Sequence, residues 1–125
     1  MPRYRIVWRR VSLKGRKKEY LQYREMARAL ARERAGHFAR AYGFSFRKIF
    51  IRNQKSRWGS CSKSGNLNFH YKIALMPSRI ADYIIVHELC HLAEFNHSKK
   101  FWELVARTIP DHKRIRKELR NSRAL

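Results

Sequence analysis

The sequence predicts an α+β fold, and three observations carry that prediction. Apolar residues recur at threes and fours from Tyr20 to Tyr42, short stretches between Phe44 and Leu75 alternate with period two, and helical patterning returns from Arg79 onward. At 125 residues and 44% hydrophobic content, the chain suits one compact domain, 1–125, with a modest core. A chain of this size buries only about two-thirds of its unfolded surface, so a bound metal would add stability.

Near the start, Tyr4, Ile6 and Trp8 alternate with Arg3, Arg5 and Arg9, which suggests a short strand with one basic face, followed by a basic connector. The helix from Tyr20 to Tyr42 has Gly43 as its stop. Strands are expected over Phe44–Ile51, Arg57–Ser62 and Asn66–Leu75, with Lys63, Ser64, Gly65 and Asn66 turning the chain between the last two. Met76 and Pro77 break the pattern and Ser78 is a candidate N-cap for a helix over Arg79–Glu94. A further helix is expected over Lys99–Arg107 behind Ser98, and Pro110 and Asp111 open a last, basic one.

The formal charge is +21. Such a surface attracts polyanions, so nucleic acid, nucleotide phosphates, anionic lipid and acidic proteins are candidate partners; a solvated basic coat is the plainer reading. Cys61 and Cys90 form no CxxC pair, which argues against a disulfide framework and for a reducing compartment. No apolar run has signal-peptide or membrane-spanning length, so a cytoplasmic protein is expected.

The chemistry concentrates in His87-Glu88-Leu89-Cys90-His91, an H-E-x-x-H pattern. Residues four apart share a helix face, so both imidazoles can bind one metal, while Glu88 is offset and can reach a water there. Ile84, Ile85, Leu89 and Leu92 bury this helix, and buried polar groups need partners; a metal supplies one. His97, six residues after His91, is the expected third ligand. Glu94 is the rival, since an unbroken helix would carry it onto the same face. The chain must turn back to deliver His97, and Asn96 is the residue that can adopt the left-handed conformation to do so. Cys90 reads as a small apolar core residue.

Three blocks carry a resemblance. They are Arg57-Trp58-Gly59-Ser60-Cys61, Val86-His87-Glu88-Leu89-Cys90-His91-Leu92, and Asn96-His97-Ser98-Lys99-Lys100-Phe101-Trp102. In this order they resemble the YgjP-like metallopeptidase family, related to the SprT-like zincins, over about Tyr42 to Lys117. The resemblance implies a minimal zincin-like fold with a small antiparallel sheet packed on the metal helix, Zn2+ on His87, His91 and His97, and Glu88 as the catalytic residue. The domain then divides into a basic N-terminal strand and connector (1–18), a helix (19–42), and the sheet with the metal-site core (43–125).

Three protein ligands leave a position open for water, whose pKa zinc lowers to about 7, with Glu88 as general base. The substrate would be a peptide or unfolded protein, bound through Arg52, Arg57, His70 and Tyr71 and added along the sheet edge near Asn66–Leu75. Arg57, His70, Tyr71 and Tyr83 are all candidates for stabilising the oxyanion. Trp58 and Gly59 read either as core packing with a close strand–helix approach or as groove wall. Two other functions fit the charge: a metal-dependent nucleotide phosphohydrolase, and a nucleic-acid-binding protein with structural zinc. Against the first, there is no Gly-rich phosphate loop, and Asp82 and Asp111 are the only aspartates.

Overall fold

A computed structural model of the chain describes residues 17–123. The basic strand expected around Tyr4, Ile6 and Trp8 lies outside them. Helix α1 spans Lys17–Tyr42, and its inner face is a ladder of small residues, Ala27, Ala31 and Ala35, continued by Phe38 and Ala39. Without bulk on that face the helix backbone approaches its neighbours closely. Gly43, at φ +76°, ends it: the Phe44 N–H turns back to the Ala39 carbonyl at 2.9 Å.

Three short strands follow: β1 (Ile49–Arg52), β2 (Gly59–Cys61) and β3 (Leu67–His70). Their spatial order is β1-β3-β2. β2 and β3 form an antiparallel hairpin in which Ser60 faces Asn68, whereas β1 runs parallel to β3 with Ile51 opposite Phe69. The sheet is therefore mixed, where an antiparallel one was expected. The loop over 53–58 carries the chain past the place that β3 later fills and reverses it on the way. Period-two patterning marks strands but not their direction.

Two boundaries also differ. Phe44 and Phe46 pack on the core before β1 begins. β3 stops at His70, because Tyr71, Lys72 and Ile73 are all buried in succession, which a strand with one buried face cannot achieve. Tyr71–Leu75 instead coil into a 3-10 turn, in which the Lys72 N–H donates to His70 Nδ1 at 3.1 Å.

Helix α2 (Ser78–Cys90) lies at the centre, with Ile80, Ala81, Ile84, Ile85, Val86 and Leu89 buried. Ser78 is its first residue rather than its cap; Pro77 precedes it and no side chain caps the end. Two ion pairs hold α2. Arg34 of α1 meets Asp82 at 2.9 and 3.0 Å, and Arg79 meets Glu118 at 2.9 and 2.8 Å. Glu118 belongs to α4 (His112–Arg123), which follows α3 (Lys99–Thr108). Ser98 Oγ caps α3 by accepting from the Phe101 N–H at 3.4 Å, as expected. Both cysteines are free, and Cys90 is fully buried.

The fold is thus α+β, with the sheet on one side of α2 and helices around the rest. Ala31 tests the close approach of α1. Ala31→Leu is expected to cost about 1–3 kcal/mol by overpacking, read as a lower urea midpoint at unchanged slope.

Candidate active site

The helical path of α2 puts His87 and His91 one turn apart on a single face. Beyond Cys90 the helix tightens: the N–H groups of His91, Leu92 and Ala93 bond to the carbonyls of Glu88, Leu89 and Cys90, three residues back. The chain then leaves the helical direction and returns at Ser98 to start α3. No described non-glycine residue has positive φ, so Asn96 does not make the turn in a left-handed conformation as expected. The tightened last turn does that work.

This return brings His97 Nε2 to 3.1 Å from His91 Nε2 and 3.2 Å from His87 Nε2. Glu94 is not in the group that could hold a metal. Its carbonyl accepts from His91 Nδ1 at 2.9 Å, and its side chain borders a separate depression with Lys100 and Arg107. Because a carbonyl can only accept, His91 carries its proton on Nδ1 and turns a bare Nε2 inward. His87 Nδ1 lies 3.1 Å from the Tyr83 hydroxyl, one turn earlier on α2, a group that orients the ring and can either accept from it or donate to it.

Bare nitrogens at such distances repel one another unless a cation lies among them. A tetrahedral ion with ~2.0–2.1 Å bonds sets its ligand nitrogens about 3.3 Å apart, so the three rings fit a metal of that kind. Burial, with His91 and His97 adding to it, pushes the His87 pKa down to about 3, and burial lowers that of His91 too. Both stay in the neutral, ligating form.

Phe101 underlies all three rings, 4.4 Å from His91 in a stack and 5.0 Å from both His87 and His97. Trp102 stacks on exposed His97 at 5.8 Å and on His112 at 5.0 Å. Glu88, on the next α2 position after His87, is buried. That burial pushes its carboxyl up to about 8, against the pull of Arg57. β2 presses directly on it: a Cβ on Gly59 would lie 3.0 Å from Glu88 Cγ and 3.2 Å from Oε2.

A model of the YgjP-like, metallopeptidase domain matches residues 8–122, nearly the whole chain. The chain belongs to the YgjP-like metallopeptidase family. Among solved structures it is similar to the metallopeptidase zymogen of Pyrococcus abyssi abylysin, with a TM-score of 0.65 and 24% identity, covering 71% of this chain and 90% of that one. At that identity the likeness speaks for the fold. Comparison with curated proteins found no match.

In this YgjP-like metallopeptidase a cavity of about 260 Å³ opens on His87 and Glu88, walled by Trp58, Tyr83, Ile84 and Leu119. Arg57 borders it; it is exposed and makes no ion pair among the described residues. The other residues expected to bind substrate are elsewhere. Arg52 donates to Asn68 Oδ1 at 2.9 Å and lies over Phe50. His70 and Tyr71 are 1% and 0% exposed, His70 packed between Trp58 and Tyr71, and the Tyr71 hydroxyl donates to Glu19 of α1. The turn that ends β3 buries both, so neither offers a substrate an accessible surface. Trp58 and Gly59 combine the two readings: Trp58 is buried and lines the cavity, and Gly59 allows the strand to touch the helix.

The role of Tyr83 toward His87 was readable from their four-residue spacing. Leu119 had no such signal, being brought to the cavity by the packing of α4. Tyr83→Phe removes the hydrogen-bond partner of His87 Nδ1. It is expected to weaken metal binding about 10–100-fold, measured by chelator competition, with little change in thermal stability of the metal-free chain.

Proposed function

We propose that this metallopeptidase works as one domain, with zinc on His87, His91 and His97 and Glu88 as general base, to cleave peptide bonds. The observation that carries the reading is that His97 Nε2 comes within 3.1 and 3.2 Å of the Nε2 atoms of His91 and His87, beside a cavity that also reaches Glu88. Zinc in such a set supplies Lewis acidity and brings the pKa of water to about 7. Glu88 accepts the proton of the attacking water. As the new C–O bond forms and the C–N bond breaks, Glu88 hands that proton to the departing amine nitrogen.

Arg57 is the proposed donor to the developing oxyanion. Of the other candidates, His70 and Tyr71 are buried and the Tyr83 hydroxyl is engaged by His87. β3 is flanked on both sides, so the substrate edge cannot lie along Asn66–Leu75. The outer edge of β2 is unpaired among the described residues. Trp58 and Ser62 turn inward to bond His70 and Asn66, so Gly59 and Cys61 direct their N–H and C=O groups outward. An extended peptide or unfolded chain pairing there would pass directly beside Glu88.

Among the described residues no carboxylate joins the three histidines, so a nucleotide phosphohydrolase with a second metal has no ligands to draw on. A nucleic-acid partner rests on the net charge alone. No described helix is long and apolar enough to cross a membrane. The proposed setting is the cytoplasm, where the free thiols of Cys61 and Cys90 stay reduced.

Glu88→Gln is expected to retain zinc by elemental analysis and lose about 10²–10⁴-fold in turnover of an unfolded protein substrate. Equal turnover by the variant, or wild-type hydrolysis confined to nucleoside triphosphates, would overturn the proposal. Gly59→Ala should act through the same carboxylate. It is expected to lower kcat at least tenfold while the histidines keep their zinc, because the added methyl displaces either Glu88 or β2 by a few tenths of an ångström.

A further inference from the structure

A second depression, of about 430 Å³, lies between α3 and α4 next to the metal-facing histidines. Lys99, Lys113 and Arg116 border it, with Glu103 the one acidic residue beside them. None of the three cations makes an ion pair among the described residues, whereas Glu118 of the same helix is held by Arg79. Buried His112 also borders the depression, and its Nδ1 has no hydrogen-bond partner among the described residues.

Arg116 joins this depression to the active site. Its guanidinium covers the Trp102 ring at 4.2 Å, and Trp102 in turn stacks on His97. Its charge also acts on His87 and Tyr83. Leu119, one turn further along α4, walls the cavity beside Glu88. The guanidinium is itself planar, so with its carbon seated over Trp102 it offers a fork of donors to a carboxylate. It also covers the indole, which leaves that face closed to a nucleobase. His97 lies 5.8 Å and the Arg116 guanidinium 4.2 Å from the centre of the Trp102 ring, so no more than about three residues of extended chain, at ~3.3 Å each, separate them.

We infer that this depression is a specificity subsite for acidic peptides, in which Arg116, with Lys113 and Lys99 around it, holds the carboxylate of an Asp or Glu two or three residues from the cleaved bond. The inference rests on the peptidase reading and adds its substrate class.

The test uses zinc-loaded enzyme and fluorogenic peptides of one fixed sequence with Glu, Gln or Lys placed in turn at three positions on each side of the bond. At one position the Glu peptide is expected to exceed its Gln counterpart about tenfold in kcat/KM, with the ratio shrinking as salt rises. Arg116→Gln should bring the ratio close to one, and Arg116→Glu should reverse the preference toward Lys. Lys113→Glu, on the exposed side of α4 and away from the Trp102 stack, should lower the ratio severalfold and serves if the Arg116 variants fail to fold. In parallel, zinc-loaded Glu88→Gln is titrated with the uncut Glu and Gln peptides by tryptophan fluorescence, where tighter binding of the Glu peptide is expected.

Wild-type ratios near one at every position, with peptides still cleaved, would overturn the inference and leave the peptidase reading intact. Absence of any cleavage would sink the peptidase reading, and the titration would then decide whether the acidic preference stands. Displacement of the Glu peptide by a few equivalents of single-stranded DNA, with no Glu-over-Gln preference, would assign the depression to a polynucleotide and overturn the inference.

Discussion

The arrangement depends on one awkward fact of electrostatics: three imidazoles crowd together, with His97 Nε2 little more than 3 Å from the Nε2 atoms of both His87 and His91. Left alone, such rings would turn apart. Each is held otherwise. Tyr83 takes the outer nitrogen of His87, the Glu94 carbonyl takes that of His91, and Trp102 lies flat against His97. Phe101 fills the space beneath. A divalent ion among them would offset that crowding, so metal binding and folding would be linked, and the loop that delivers the third ring would gain stability.

The rest of the fold serves α2. A helix with a buried Glu and two His in its last turns must be fixed against rotation, because a small turn about its axis would carry both rings off their common point. Arg34–Asp82 and Arg79–Glu118 tie the helix to two neighbours, α1 and α4; the first is a two-nitrogen fork whose planar geometry resists twisting, and the second shares one Arg79 nitrogen between both Glu118 oxygens. On the remaining side, Gly59 lets β2 lie against Glu88 with no side chain between them. The carboxylate thus has little freedom beyond the direction of the cavity.

Local rules made much of this legible. A four-residue spacing identifies which residues share a turn of helix, so the pairing of His87 with His91, and of Tyr83 with His87, follows from periodicity alone. Gly43 and Ser98 end and begin their helices by backbone needs that single residues meet. Non-local features were harder. The parallel pairing of β1 depends on where a six-residue loop lands. His70 and Tyr71 looked accessible only while β3 was thought to continue; the 3-10 turn drew them inside. Asn96 was a reasonable candidate for a left-handed turn, but three-residue backbone bonds after Cys90 achieved the reversal without one. Arg116 and Leu119 lie 25 and 28 positions beyond His91, and only the docking of α4 brings them to Trp102 and to the cavity at His87.

The open edge of β2 has a consequence for the enzyme in a crowded solution. Outward-facing amides that can grip an extended chain can equally zipper with the same edge of a second molecule, the usual route to fibrous deposits. Here the edge is three residues long and the whole surface carries a charge of +21. Brevity limits such a seam to a few bonds, and like charge keeps two copies from approaching closely enough to form it. The excess of arginine and lysine therefore has a colloidal role that any attempt to neutralise the surface would expose.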